Sequence, residues 1–147
     1  MAFVPLSHSN SEYMELALDS ERHLARFRRS DRGINKSTVI PVVQRFTQDM
    51  DRLLPVAMRP TFRLLVDSRE APRADPELES ALSGSMNPLM KQFACVAVLI
   101  KTPIGILQMR RLLRGWNTPA EVFSDEAEAT IWLMRHPVAS PQPGPHS

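Results

Sequence analysis

Two short apolar runs constrain this chain more than any other feature of its sequence. Phe62 to Val66 is closed by Asp67, Ser68 and Arg69, and Cys95 to Ile100 is closed by Lys101 and Thr102. Runs this short, carrying Val, Leu or Ile and bounded by polar residues, suit strands covered on both faces, as in a parallel sheet. Parallel neighbours need a long return connection between them, so helices must fill the intervening segments.

The flanking segments supply those helices. Val39, Val42, Val43, Phe46, Met50, Leu53 and Leu54 recur at spacings of three and four. Ser37 is placed to cap this helix, and Pro41 falls in its first turn, where a missing N–H costs little. Asp75, Pro76 and Glu77 form a second start signal, followed by Leu78, Leu82, Met86 and Met90. Pro88 removes an internal hydrogen bond, which predicts two short helices here, the second recapped by Asn87. Thr102 caps and Pro103 opens a third helix, with Ile106, Met109, Leu113 and Trp116 as its apolar stripe. Glu121 to Phe123 reads as a short strand. Asp125 with Glu128 three residues later is a capping box for a last helix through Ile131, Trp132 and Met134.

Ahead of all this, Met14, Leu16 and Leu18 alternate with Glu15, Ala17 and Asp19, and Leu24 and Phe27 lie among Arg26, Arg28 and Arg29. The alternation and the polar turn between the two segments predict a half-exposed hairpin. The order is hairpin, then helix and strand in alternation. The fold class is α/β: a mixed four- to five-stranded sheet, mostly parallel, with flanking helices.

Composition places the ends of the folded unit. Of 13 prolines, Pro137, Pro141, Pro143 and Pro145 fall in the last eleven residues, so 137–147 reads as a disordered, proline-rich tail. Residues 1–12 lack sustained periodicity and read as a flexible tail. The domain is 13–136, which holds all 18 Lys and Arg residues and all but one of the 16 acids. No run approaches the roughly 18 apolar residues of a membrane span. The single Cys95 cannot form an internal disulfide, and the N-terminus lacks a secretory pattern, so a reducing cytoplasm is expected.

The same residues argue against several chemistries. Cys95 opens an apolar run and reads as a buried small hydrophobe rather than a nucleophile. His8, His23, His136 and His146 have no ligand spacing, and no glycine-rich phosphate loop or nucleophile elbow is present. No cofactor and no metal is expected. Arg26, Arg28 and Arg29 on the second strand and Arg110, Arg111 and Arg114 on one helix could meet phosphates, but the acids nearly balance them and aromatics for stacking are few. Nucleic acid is therefore not the expected partner. Strand arginines also protect a sheet edge without any ligand.

Three blocks carry a resemblance: Leu64, Leu65, Val66, Asp67 and Ser68; Val96 to Leu99 with Thr102, Pro103, Ile104 and Gly105; and Val122, Phe123, Ser124, Asp125, Glu126, Ala127 and Glu128. With the element order, they make 13–136 resemble the STAS domain of anti-sigma-factor antagonists and sulfate transporters. That family carries Asp-Ser-Ser-Gly at the end of its third strand and is phosphorylated on the second serine by a partner kinase. Here Asp67 and Ser68 match, whereas Arg69 and Glu70 replace the serine and glycine. The resemblance implies the fold and a habit of binding other proteins. It does not carry over the phospho-switch, because Arg69 stands at the modified position and Ser68 matches the unmodified one.

Open α/β sheets present ligand sites at the carboxyl ends of their strands. The expected interaction surface is therefore Asp67, Ser68, Arg69 and Arg73 after one strand, Lys101 and Thr102 after the next, and Gln108 on the helix beyond. The function expected is a non-catalytic, STAS-like regulatory module of a bacterial-type cytoplasmic pathway, acting through a protein partner, with homodimerisation open. The alternative is a small-anion or nucleotide binder using Arg69, Lys101 and the N-terminus of the helix opening at Pro103. Against an anion site at these residues, the plainer arrangement is the expected one: Asp67 caps or pairs with Arg69, Thr102 is only an N-cap and Lys101 is a solvated strand end, since such signatures occur at ordinary helix starts.

Overall fold

A computed structural model describes residues 4–5, 13–72 and 76–139. The elements follow in the order β1 (Val4–Pro5), β2 (Met14–Asp19), β3 (Leu24–Arg29), α1 (Val39–Leu53), a 3-10 turn (Val56–Thr61), β4 (Arg63–Asp67), α2 (Pro76–Met90), β5 (Val96–Leu99), α3 (Pro103–Leu113), β6 (Ala120–Phe123) and α4 (Glu126–Arg135). The hairpin and the helix-strand alternation expected from the sequence are both present.

The six strands of the described residues form one sheet in sequential order, β1-β2-β3-β4-β5-β6. β1 and β3 run antiparallel to β2, and β3 to β6 are mutually parallel. Because every parallel crossover steps in the same direction, crossovers of the usual right hand place their helices on one side of the sheet. The packing agrees. α1, α2 and α3 share one core with Phe27, Leu64, Val66, Val96, Val98 and Val122. Among the described residues, the opposite face has only α4, whose Ala129 and Leu133 pack on Leu24, Leu65, Cys95, Ala97 and Leu99.

Three local expectations are corrected. Residues 1–12 are not wholly a tail: Val4 and Pro5 pair with Leu18 and Ala17 at the sheet edge. Proline is tolerated there because an edge strand leaves one side of its backbone unpaired. Pro88 does not divide α2, which runs unbroken through it. The proline is exposed and two residues from the helix end, so it affects only the last turn, while Leu82, Met86 and Leu89 are held in the core. Finally, Ser37 does not cap α1. Asn35 Oδ1 accepts the N–H groups of Ser37 and Thr38 at 2.9 and 3.1 Å, and the helix grows from that turn.

Both later caps form as expected. Thr102 Oγ1 accepts the Gly105 N–H at 3.1 Å, and Asp125 Oδ2 accepts the Glu128 N–H at 3.2 Å. Past α4, the Ala139 N–H donates to the Pro60 carbonyl at 3.0 Å, tying the first residues of the expected tail to the 3-10 turn. The rest of that tail, 140–147, lies outside the described residues, as do 6–12.

Candidate functional site

The carboxyl ends of β3 and β4 and the start of α4 meet where α4 leaves the sheet face open. Strand alternation puts Leu24, Arg26 and Arg28 on the α4 side of β3, and Leu65 and Asp67 on the same side of β4. Asp67 is 4% exposed. Its Oδ2 accepts from Arg26 Nη2 at 3.1 Å and from Arg69 Nη2 at 2.9 Å, and its Oδ1 accepts from Arg69 Nε at 3.0 Å. Glu126, in the first turn of α4, accepts from the same two arginines at 3.3 and 3.0 Å. Beside this group, Arg28 bridges Glu15 and Glu70.

Burial pushes the Asp67 carboxyl up, but the hydrogen bonds from Arg69 and Arg26 and the charge of Arg69 outweigh it. The carboxyl is held below its ordinary value. Two guanidinium groups thus face two carboxylates in a closed, charge-balanced network. Such a network fixes the β4 loop against α4, with Arg69 engaged through Nε and Nη2.

Of the residues expected at the site, the structure joins Asp67 and Arg69 directly. Ser68 donates its N–H to the Leu99 carbonyl at 3.0 Å, carrying the sheet ladder one step further. Lys101 and Gln108 are exposed, and Thr102 serves as the cap of α3. Arg73 lies outside the described residues. Arg26 and Glu126 were not anticipated. Glu126 sits two residues past Ser124 at the one strand end whose following helix crosses to the other face. Arg26 shows only as one of three strand arginines until register is known.

A second feature is the outer face of α3. Ile104 is 59% exposed and Leu107 57%, and both lie opposite the stripe of Ile106, Met109, Leu113 and Trp116 that packs on the core. Gln108 and Arg111 share that outer face by their spacing of four and seven from Ile104. Arg110 pairs with Glu121 at 3.6 Å, whereas Arg111 and Arg114 make no ion pair among the described residues.

Cys95 is fully buried, and burial raises its thiol to about 11, which makes it an inert core residue. No group of three or more His, Cys, Asp or Glu suited to a metal is found among the described residues. No helix among them is long and apolar enough to cross a membrane.

No protein family and no curated protein matches the chain in sequence. Among solved structures, it is similar to an uncharacterised protein of the DUF3478 family with a SpoIIAA-like fold, from Shewanella loihica PV-4. The two superpose with a TM-score of 0.59 at 14% identity, over 90% of this chain and 92% of that one. At that identity the likeness is one of fold. The protein has the SpoIIAA-like fold, that of the STAS and anti-sigma-factor antagonist group, as its three strand-end blocks had implied.

Proposed function

We propose that the protein is a non-catalytic, STAS-like interaction module of a bacterial-type cytoplasmic regulatory pathway, and that it binds another protein through the outer face of α3 and the adjoining β4 loop. The observation that carries this reading is the exposure of Ile104 and Leu107 on a helix whose opposite stripe already fills the core. A helix needs only one apolar stripe to be held on a sheet, so a second one is surplus to folding. Arg111 and Arg114 beside it favour a partner that presents apolar residues flanked by carboxylates.

The charge-balanced network at Asp67 supports the same reading over the anion-binding alternative. Arg69 already holds Asp67 and Glu126 through Nε and Nη2, so a phosphate would have to compete with two carboxylates for it.

The test is affinity capture from a bacterial lysate with the tagged chain, comparing the parent with Leu107→Glu, Arg111→Glu and an alanine set at Arg69, Arg73 and Gln108. A partner retained by the parent should be lost with Leu107→Glu and weakened by the others. Retention of every partner by all three variants overturns the proposal.

A further inference from the structure

A cleft of about 90 Å³ lies on the three-helix side of the sheet, between α2 and α3. Its floor includes Phe27 and Val66, and Trp116 closes one wall. Met14, Met86, Met90 and Met109, half of the chain's eight methionines, line it as well. Flexible, polarisable methionine is suited to apolar surfaces that adapt to a ligand.

At the mouth stands Arg29, at the carboxyl end of β3 and beside Ser68. Its side chain is 14% exposed, yet its one ion-pair partner among the described residues is Glu79, at 3.9 Å. Burial lowers Arg29 below the ordinary guanidinium range, only partly offset by Glu79. Glu79 itself is 44% exposed and free to turn outward. A cation drawn out of water, loosely matched by a movable carboxylate at the rim of an apolar cleft, is complementary to a molecule that joins a carboxylate to a hydrocarbon.

We propose that this cleft binds a medium-chain aliphatic monocarboxylate, its carboxylate pairing with Arg29 in place of Glu79 and its chain lying along Phe27, Met86, Met109 and Trp116. Glu79 already marks the position of the charge. The volume is below the roughly 150 Å³ of an apolar cavity that takes up benzene, so it accommodates the first methylenes, and the open side lets a longer chain emerge between the two helices. This site is separate from the outer face of α3, and its failure would leave the protein-contact reading intact.

The test uses Trp116 fluorescence in a Trp132→Phe background, since the chain has two tryptophans and Trp132 packs on the opposite face. Octanoate, 1-octanol and octyltrimethylammonium are titrated below their micelle concentrations. Octanoate should bind about tenfold more tightly than octanol, the scale of one charge-assisted hydrogen-bonded pair, and the cationic probe more weakly than either. Arg29→Gln should bring octanoate to the level of octanol, and Glu79→Gln should tighten it by removing the competing carboxylate. Equal binding of octanoate and octanol, an unchanged preference in Arg29→Gln, or no response to any probe overturns the proposal. If Arg29→Gln does not fold, Glu79→Gln decides: octanoate binding no tighter than in the parent overturns it.

Discussion

Arg69 grips Asp67 as a fork, Nε to Oδ1 at 3.0 Å and Nη2 to Oδ2 at 2.9 Å, and the same Nη2 reaches Glu126 at 3.0 Å. Arg69, at the position that the sequence resemblance matches to the second serine of the STAS motif, thus locks the loop to α4.

That lock makes stability depend on pH in a defined direction. Asp67 is held below its ordinary value of 3.8 in the folded chain, so its stabilisation is complete above that value and is lost as pH falls below it through the lower folded value. Urea midpoints measured from pH 6 to pH 2 should drop more steeply in the parent than in Asp67→Asn.

Removing the carboxylate altogether leaves Arg26 and Arg69 facing each other across its place. Asp67→Ala should cost about 2 kcal/mol, less than a fully buried pair because both arginines are partly solvated. Chemical denaturation gives the value, and a loss under about 0.5 kcal/mol would show the network to be energetically neutral.

Arg59 is the largest fully buried side chain among the described residues. Its Nε donates to the Leu54 carbonyl at 2.9 Å, Nη2 to Asp51 at 2.8 Å, and Nη1 to Gln92, so one guanidinium joins the end of α1 to the loop after α2. Arg59→Met should lower stability by about 2–3 kcal/mol through unsatisfied acceptors, and Arg59→Lys should recover little, because an ammonium cannot span three separated acceptors. Thermal melts of the two variants check this.

Two glycines should respond oppositely to alanine. A Cβ at Gly84, inside α2, meets nothing within 4 Å, so Gly84→Ala should stabilise by about 0.5–1 kcal/mol. A Cβ at Gly105 would come within 2.7 Å of Ile100 and 2.8 Å of the capping Thr102 oxygen, so Gly105→Ala should destabilise the start of α3. Equal melting points for both variants would contradict the packing described.

Cys95, buried and with its thiol raised to about 11, should resist a thiol reagent such as iodoacetamide in the native state at pH 8 and react on unfolding. Rapid native labelling would place it at the surface instead.

The sequence by itself determined the order and type of nearly every element. The apolar runs at Phe62 and Cys95 are short, rich in Val, Leu or Ile and closed by polar residues, as buried strands are, and Thr102 and Asp125 mark helix starts through hydrogen bonds that span only three residues. Such signals are local, so they survive without knowledge of the fold. Where locality misled, at Pro88 and Ser37, a competing interaction prevailed: core packing along α2, and the carboxamide of Asn35 ahead of α1. Only the tertiary structure decided what Asp67 meets. Arg26 is 41 residues away from it, and Glu126 lies 57 residues from Arg69 and 100 from Arg26. Their meeting depends on the parallel register of β3 on β4 and on α4 crossing to the face the other three helices leave open. The same register sends Arg29, one position from Arg28, to the opposite side of the sheet and to the mouth of the cleft, because successive strand residues point to opposite faces.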